Sequence, residues 1–132
     1  MKGFHANIER ETLENTDFRR VLYTGKHSQL VLMRLKPGEE IGSEVHQEID
    51  QFFRIDSGFG KVVIDGNEYA VSDGDAVVVP ASSEHNVINT SPSHKLKLYT
   101  IYSPAHHQDG VVHRTKTEAE EDEEEFDGVA TE

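Results

Sequence analysis

Between Phe18 and Tyr102 the chain is a succession of short apolar runs, each ended by turn-forming residues. FRRVLYT stops at Gly25, SQLVLMRL at Lys36-Pro37-Gly38, and EEIGSEVH and DQFFRIDSG follow. GKVVI and NEYAV flank Asp65-Gly66, a dipeptide whose backbone freedom suits a two-residue hairpin turn. AVVVP, HNVIN and KLKLYTIYS complete the series. About eight strands at roughly ten-residue spacing predict a sandwich or barrel. No part of this stretch repeats its apolar residues with a helical period. The expected fold class is therefore all-β. Ahead of it, NIERETL reads as a short leading strand.

A chain of 132 residues suits one domain with a real core. It has no apolar run of membrane-spanning length, and MKGFHANIER places charged and polar residues where a signal peptide needs an apolar stretch. A cytoplasmic location without membrane association is the expectation. With no cysteine, disulfides and thiolate ligands are excluded, so a metal would have to be held by imidazole, carboxylate or amide groups.

The net charge of −12 is concentrated at one end. Residues 117–132 hold nine acids and no Lys or Arg, whereas residues 1–116 carry 16 acids against 13 bases. No basic patch appears, and an acidic tail repels phosphate, so no nucleic-acid partner is expected. The boundary suggests a barrel over residues 1–116 and a tail over 117–132. Thr117 and Glu120 have the spacing of a capping box, predicting a short helix that dissolves into disorder as the acids repel one another. Just before the tail, His106, His107 and His113 read as part of a surface loop, with a second metal site or a cavity mouth as the alternatives.

The chemistry-bearing side chains lie between Gly38 and Asn89. Glu44 and His46 are two apart, so on a strand they share a face. Gln51 begins the next strand and His85 a later one. Four ligand-type groups from three places fit one divalent ion inside a barrel. Nitrogen and oxygen donors without sulfur admit Zn, Mn, Fe or Ni. The other reading is a buried hydrogen-bonded network with no ion. Phe52, Phe53 and Ile55 are expected in the core or at a subunit contact. Tyr99 and Tyr102 fall on opposite faces of the last strand, and with His106 and His107 they are the candidates for a substrate pocket.

These spacings resemble the two motifs of the cupin superfamily, G-x5-H-x-H-x4-E-x6-G and G-x5-P-x-G-x2-H-x3-N. Gly38, His46 and Gly58 match the first (residues 38–58), with Glu44 at its first histidine and Gln51 at its glutamate. Gly74, Pro80, His85 and Asn89 match the second (residues 74–89), with Ser82 at its second glycine. The resemblance spans roughly residues 20–102. It implies an antiparallel double-stranded β-helix, or jelly roll, with Glu44, His46, Gln51 and His85 as metal ligands. Three histidines with one glutamate carry the same total charge as Glu44, two histidines and Gln51, so the carboxylate has changed place and has not been lost.

The set also resembles the Gln/His/Glu/His zinc site of cupin phosphomannose isomerases, with amide and carboxylate exchanged. That implies an isomerase-like enzyme on a small polar substrate such as a sugar or sugar phosphate, the ion acting as a Lewis acid. A non-haem iron dioxygenase and a non-catalytic small-ligand-binding module are the other readings. An exposed sheet edge needs covering, so a homodimer that exchanges the N-terminal segment 1–20 is expected.

Overall fold

The computed structural model describes residues 1–132. Its elements in chain order are α1 (Ile8–Glu14), β1 (Arg19–Thr24), β2 (Gln29–Leu35), β3 (Glu44–Val45), β4 (Asp50–Ser57), β5 (Phe59–Ile64), β6 (Asn67–Ser72), β7 (Ala76–Val79), β8 (Glu84–Ile88), β9 (Leu96–Ser103), β10 (Val112–His113) and α2 (Lys116–Glu121). One sheet runs β10-β1-β2-β9-β4-β7, and the other runs β3-β8-β5-β6, all pairs antiparallel. The two face each other as a jelly roll. The Asp65-Gly66 hairpin forms as expected, with φ of 47° and 81° at its two central residues. Of EEIGSEVH only Glu44–Val45 is strand, helped by a single bridge between Glu40 and Ile88.

Alternation fills the space between the sheets. Along β9, Leu96, Leu98, Thr100 and Tyr102 point inward, and along β4 Gln51, Phe53 and Ile55 do so. Cross-strand partners are Ile55 with Leu98, Phe53 with Thr100, and Gln51 with Tyr102. The inner face thus grades from aliphatic at one end of the barrel to polar at the other. β8 repeats the gradient, with Val87 fully buried and His85 at the polar end. Phe53, Ile55, Val62, Leu96 and Leu98 form the apolar half, each worth about 1.5–3 kcal/mol on burial.

The leading segment is a helix. Asn7 caps it by accepting the Arg10 N–H at 3.0 Å, and Glu9 and Glu11 lie in its first turn, where they favour the helix dipole. The helix packs on β9, β4 and β2, with Thr12 fully buried, so NIERETL offers no strand to exchange with a second copy. Beneath it lies Asp56, 6% exposed, with Oδ2 unpaired and Arg54 Nε 3.5 Å from Oδ1. Burial pushes this carboxyl above the usual range, and Arg54 and Thr12 only partly reverse it. A raised folded-state pKa favours folding below the unfolded value of about 3.9 and loses that contribution as pH rises through the folded value. Asp56→Asn is therefore expected to melt higher than the parent at pH 7, with the gap closing below about pH 4. Thermal denaturation across pH 3–8 checks this, and a gap that widens in acid would contradict it.

The acidic tail is also ordered. Its helix is capped by Thr115, whose Oγ1 accepts the Glu118 N–H at 3.2 Å, in place of Thr117. Two T-x-x-E frames overlap here, and the upstream one places Glu118 where its Oε2 takes the Arg114 N–H at 2.6 Å. Past this helix the chain folds back over the barrel end. The Phe126 N–H donates to the His106 carbonyl, the Thr131 N–H to the Thr24 carbonyl, and Tyr23 and the Gly3 N–H donate to the Glu132 carboxylate. Mutual repulsion among the acids is offset by these donors and by the histidines described next. No helix is long and apolar enough to cross a membrane.

Candidate metal centre

Glu44, His46 and His85 offer ligand atoms that all lie within 4.8 Å of one another at the polar end of the barrel. Register brings them together. Glu44 is the Cα partner of His85 across β3 and β8, and His46 follows two residues later on the same face. The loop carrying His46 is held by Ser82, whose N–H donates to the His46 carbonyl at 2.8 Å and whose Oγ donates to the Gln47 carbonyl at 3.0 Å. Ser82 does this at φ 75°, the left-handed region that glycine enters without strain. Asn89 staples the neighbouring loops. Its Nδ2 donates to the carbonyls of Leu35, Lys36 and His94, and its Oδ1 accepts from the Ser91 N–H.

The fourth residue, Gln51, is 2% exposed and places Oε1 3.1 Å from His85 Nε2. Its amide Nε2 donates to Thr100 Oγ1 at 2.9 Å. His85 Nδ1 lies 3.1 Å from the Ser83 carbonyl, which can only accept, so Nδ1 carries the ring proton. In the neutral ring Nε2 is then a lone-pair nitrogen facing a lone-pair oxygen. His46 Nε2 is buried and 2.9 Å from Glu44 Oε2, yet it is not aligned for a hydrogen bond and has no other partner. A divalent cation between these atoms reconciles all four at once. Turning the Gln51 amide end for end would relieve the His85 contact alone and leave His46 unpaired. The donor set therefore fits an ion. Burial pushes the Glu44 carboxyl up, but His46, Arg19 and His106 outweigh it and hold it below its usual range, as a ligand requires.

The candidate pocket residues divide. Tyr102 is 2% exposed and points inward, its ring 5.9 Å from that of His46. His106 packs its half-buried ring 4.3 Å from His46, and burial, then His107 and His46, pull it down to about 4. Tyr99 lies on the other face of β9, against Phe52, with ring centroids 6.2 Å apart. His107 is buried, contrary to the surface-loop expectation. It accepts from the Tyr102 hydroxyl at Nε2 (3.2 Å) and donates from Nδ1 to Glu124 Oε1 (2.6 Å). Burial lowers His107, and its hydrogen bond with Glu124 offsets this only in part. Burial raises Glu124, whereas His107 and the Gln108 N–H more than reverse it, giving a neutral imidazole bound to a carboxylate. His113 is likewise buried, between Arg19 Nη1 (3.3 Å) and Asp122 Oδ2 (2.9 Å). These histidines anchor the tail and form no second metal cluster with each other.

Sequence reasoning missed Arg19. It is 7% exposed and shares the wall of a cavity of about 230 Å³ with Glu44, His107 and Glu124. The signal was available, because on β1 Arg19 has the same parity as the buried Val21.

Comparison with known proteins agrees with this architecture. Residues 31–102 match the family described as Cupin domain. Uncharacterized protein YrkC of Bacillus subtilis (strain 168) is 48% identical over 124 residues, covering 89% of this chain and 66% of that protein. Uncharacterized protein L612 of Acanthamoeba polyphaga mimivirus is 44% identical over 110 residues, covering 81% and 69%. The chain thus spans about two thirds of the length of these curated relatives. Among solved structures, BH2720 from Bacillus halodurans superposes with a TM-score of 0.89 at 42% identity, covering 92% of this chain and 96% of that one. An RmlC-like cupin from Shewanella frigidimarina NCIMB 400 superposes at 0.60 with 23% identity, covering 66% and 75%, a likeness of fold. Matched in sequence across its central strands and in structure across nearly its whole length, the chain belongs to the cupin family.

Proposed function

We propose that this cupin binds one divalent metal ion through Glu44, His46, Gln51 and His85 and acts as an enzyme on a small polar substrate. The observation that carries the reading is the opposed pair His85 Nε2 and Gln51 Oε1, 3.1 Å apart beside the unpaired His46 Nε2. Buried polar groups crowded this closely, with His46 Nε2 making no hydrogen bond, are costly unless a cation joins them. A bound ion there would supply Lewis-acid polarisation of a carbonyl or hydroxyl.

The chain's own residues supply the rest. His106, neutral at physiological pH, stands beside His46 with ring nitrogens that make no internal hydrogen bond, and it can take a proton from a substrate carbon or hydroxyl. Tyr102 holds its proton, because burial pushes the phenol far up and the hydroxyl is engaged by His107. Lys116, Ala119, Glu120, Asp122 and Glu124 of the tail form one wall of the cavity. His106 beside the cluster favours proton transfer of the isomerase kind; two imidazoles and one carboxylate are also the ligand set of non-haem iron oxygenases, so the metal found decides between the two readings.

Elemental analysis of protein purified without chelator, followed by melting with and without EDTA, tests the reading. One equivalent of a divalent metal and a melting temperature lowered by EDTA are expected. A protein that takes up no Zn, Mn, Fe or Ni when each is supplied at millimolar excess would overturn it.

A further inference from the structure

The barrel end holds a second feature that the ion does not account for. Arg19 is more than nine-tenths buried, its Nε has no hydrogen-bond partner, and it forms no ion pair. Its Nη1 meets only the His113 ring, and its guanidinium lies 5.3 Å from the Phe18 ring centroid. A guanidinium so buried costs much in lost hydration unless an anion answers it. Of the carboxylates that share its cavity, Glu124 is bound to His107, Asp122 to His113, and Glu44 lies 2.9 Å from His46. Arg19 nevertheless lines the same cavity as Glu44, whereas His46 and His85 do not line it.

We infer that this cavity is the subsite for the carboxylate of a small organic acid, with Arg19 as its counter-ion. The inference deepens the metal-site reading and rests on it for one end of the substrate only. An acid bearing a hydroxyl or oxo group beside its carboxylate would set the acid end on the Arg19 guanidinium and turn the other oxygen toward Glu44 and the ion. A guanidinium is suited to this, since its fork matches the two oxygens of a carboxylate. Phe18 and Ile41 in the wall accept a short alkyl chain. The volume of about 230 Å³ corresponds to a handful of water molecules at about 30 Å³ each, which limits the ligand to a few carbon atoms.

Charge selects further. The cavity wall has Arg19 and Lys116 as cations against Glu44, Glu120, Asp122 and Glu124. A dianion such as phosphate would add two charges to a wall that already holds more carboxylates than cations, whereas a monocarboxylate adds only one. A sugar phosphate is therefore the poorer fit.

The test is an NMR titration of the full chain, in metal-free and zinc-loaded forms, following the Arg19 Nε–H resonance. Lactate, its neutral isostere lactamide and inorganic phosphate are the probes. Lactate is expected to shift the resonance saturably in both forms, to bind more tightly with zinc, and to lose at least tenfold in affinity in Arg19→Gln, with Arg19→Lys between. Lactamide is expected to leave the resonance unmoved, and phosphate to bind more weakly than lactate. Lactamide acting as strongly as lactate overturns the inference on the parent protein alone, even where Arg19→Gln fails to fold. Phosphate binding more tightly than lactate overturns it too. Lactate that binds only with zinc and ignores Arg19→Gln would leave the metal reading standing and sink this one, while lactate binding to a protein that takes up no zinc would do the reverse.

Discussion

Replacing His85 by alanine will lower metal affinity at least about a hundredfold, roughly 3 kcal/mol, whereas Glu44→His combined with Gln51→Glu will tighten it. His85 is 5% exposed and its orientation is set by the Ser83 carbonyl, so its Nε2 is directed at the other donors before any ion arrives. Removing it leaves Gln51 Oε1 facing an empty wall and takes away one of only two imidazoles in the cluster. The double substitution keeps the total ligand charge but moves the carboxylate to β4 and exchanges a weak amide donor for a strong one. Thr100 can serve either arrangement, since its hydroxyl accepts from the present amide at 2.9 Å and would donate to a carboxylate. Competition against a chromophoric chelator at pH 7 reads both effects. Parent-like affinity in His85→Ala would remove that residue from the site. Weaker binding in the double variant would mean that Glu44 and Gln51 are placed for the substrate and not for the ion.

Much of the site could be read from the chain because it depends on parity and local turns. Glu44 and His46 share a face by being two apart, and the spacing of Gly38, Gly58, Gly74 and Pro80 sets where each strand begins and ends. His85 is brought opposite Glu44 by β3–β8 pairing, which periodicity alone does not reveal. What escaped depended on partners remote in sequence. The seven residues of α1 are too few to show a helical period, and Thr12 is buried only because a sheet lies beneath it. The tail looked disordered because its acids were counted against each other. Their actual partners are His107, His113, Tyr23 and backbone N–H groups as much as 130 residues away. Arg19 escaped for a related reason, since β1 alternation gave its direction but only the docked tail makes that direction an interior one.

Gly58→Ala is expected to destabilise the fold by more than about 3 kcal/mol, as much as truncating a buried leucine, with a melting temperature lower by on the order of 10 °C. Two costs add. Gly58 sits at φ 89°, between β4 and β5 where the chain passes from one sheet to the other, and an L side chain there carries about 1–2 kcal/mol of backbone strain. A Cβ would also drive into the Lys95 carbonyl oxygen and lie 3.2 Å from Leu96 Cα. Both obstacles are backbone at the start of β9, the strand shared by β2 and β4, so they cannot swing aside as a side-chain tip would. Gly38 makes the contrast. Its φ is 76°, but nothing lies within 4 Å of a Cβ built there, so Gly38→Ala carries the strain without the clash. Measured side by side by urea denaturation, Gly58→Ala should cost at least twice as much as Gly38→Ala. Equal costs would mean that the first motif ends in glycine for its backbone angle alone. The predicted inequality makes it a requirement of close packing, where the strand leaving the metal centre must pass directly over the one that carries Tyr102.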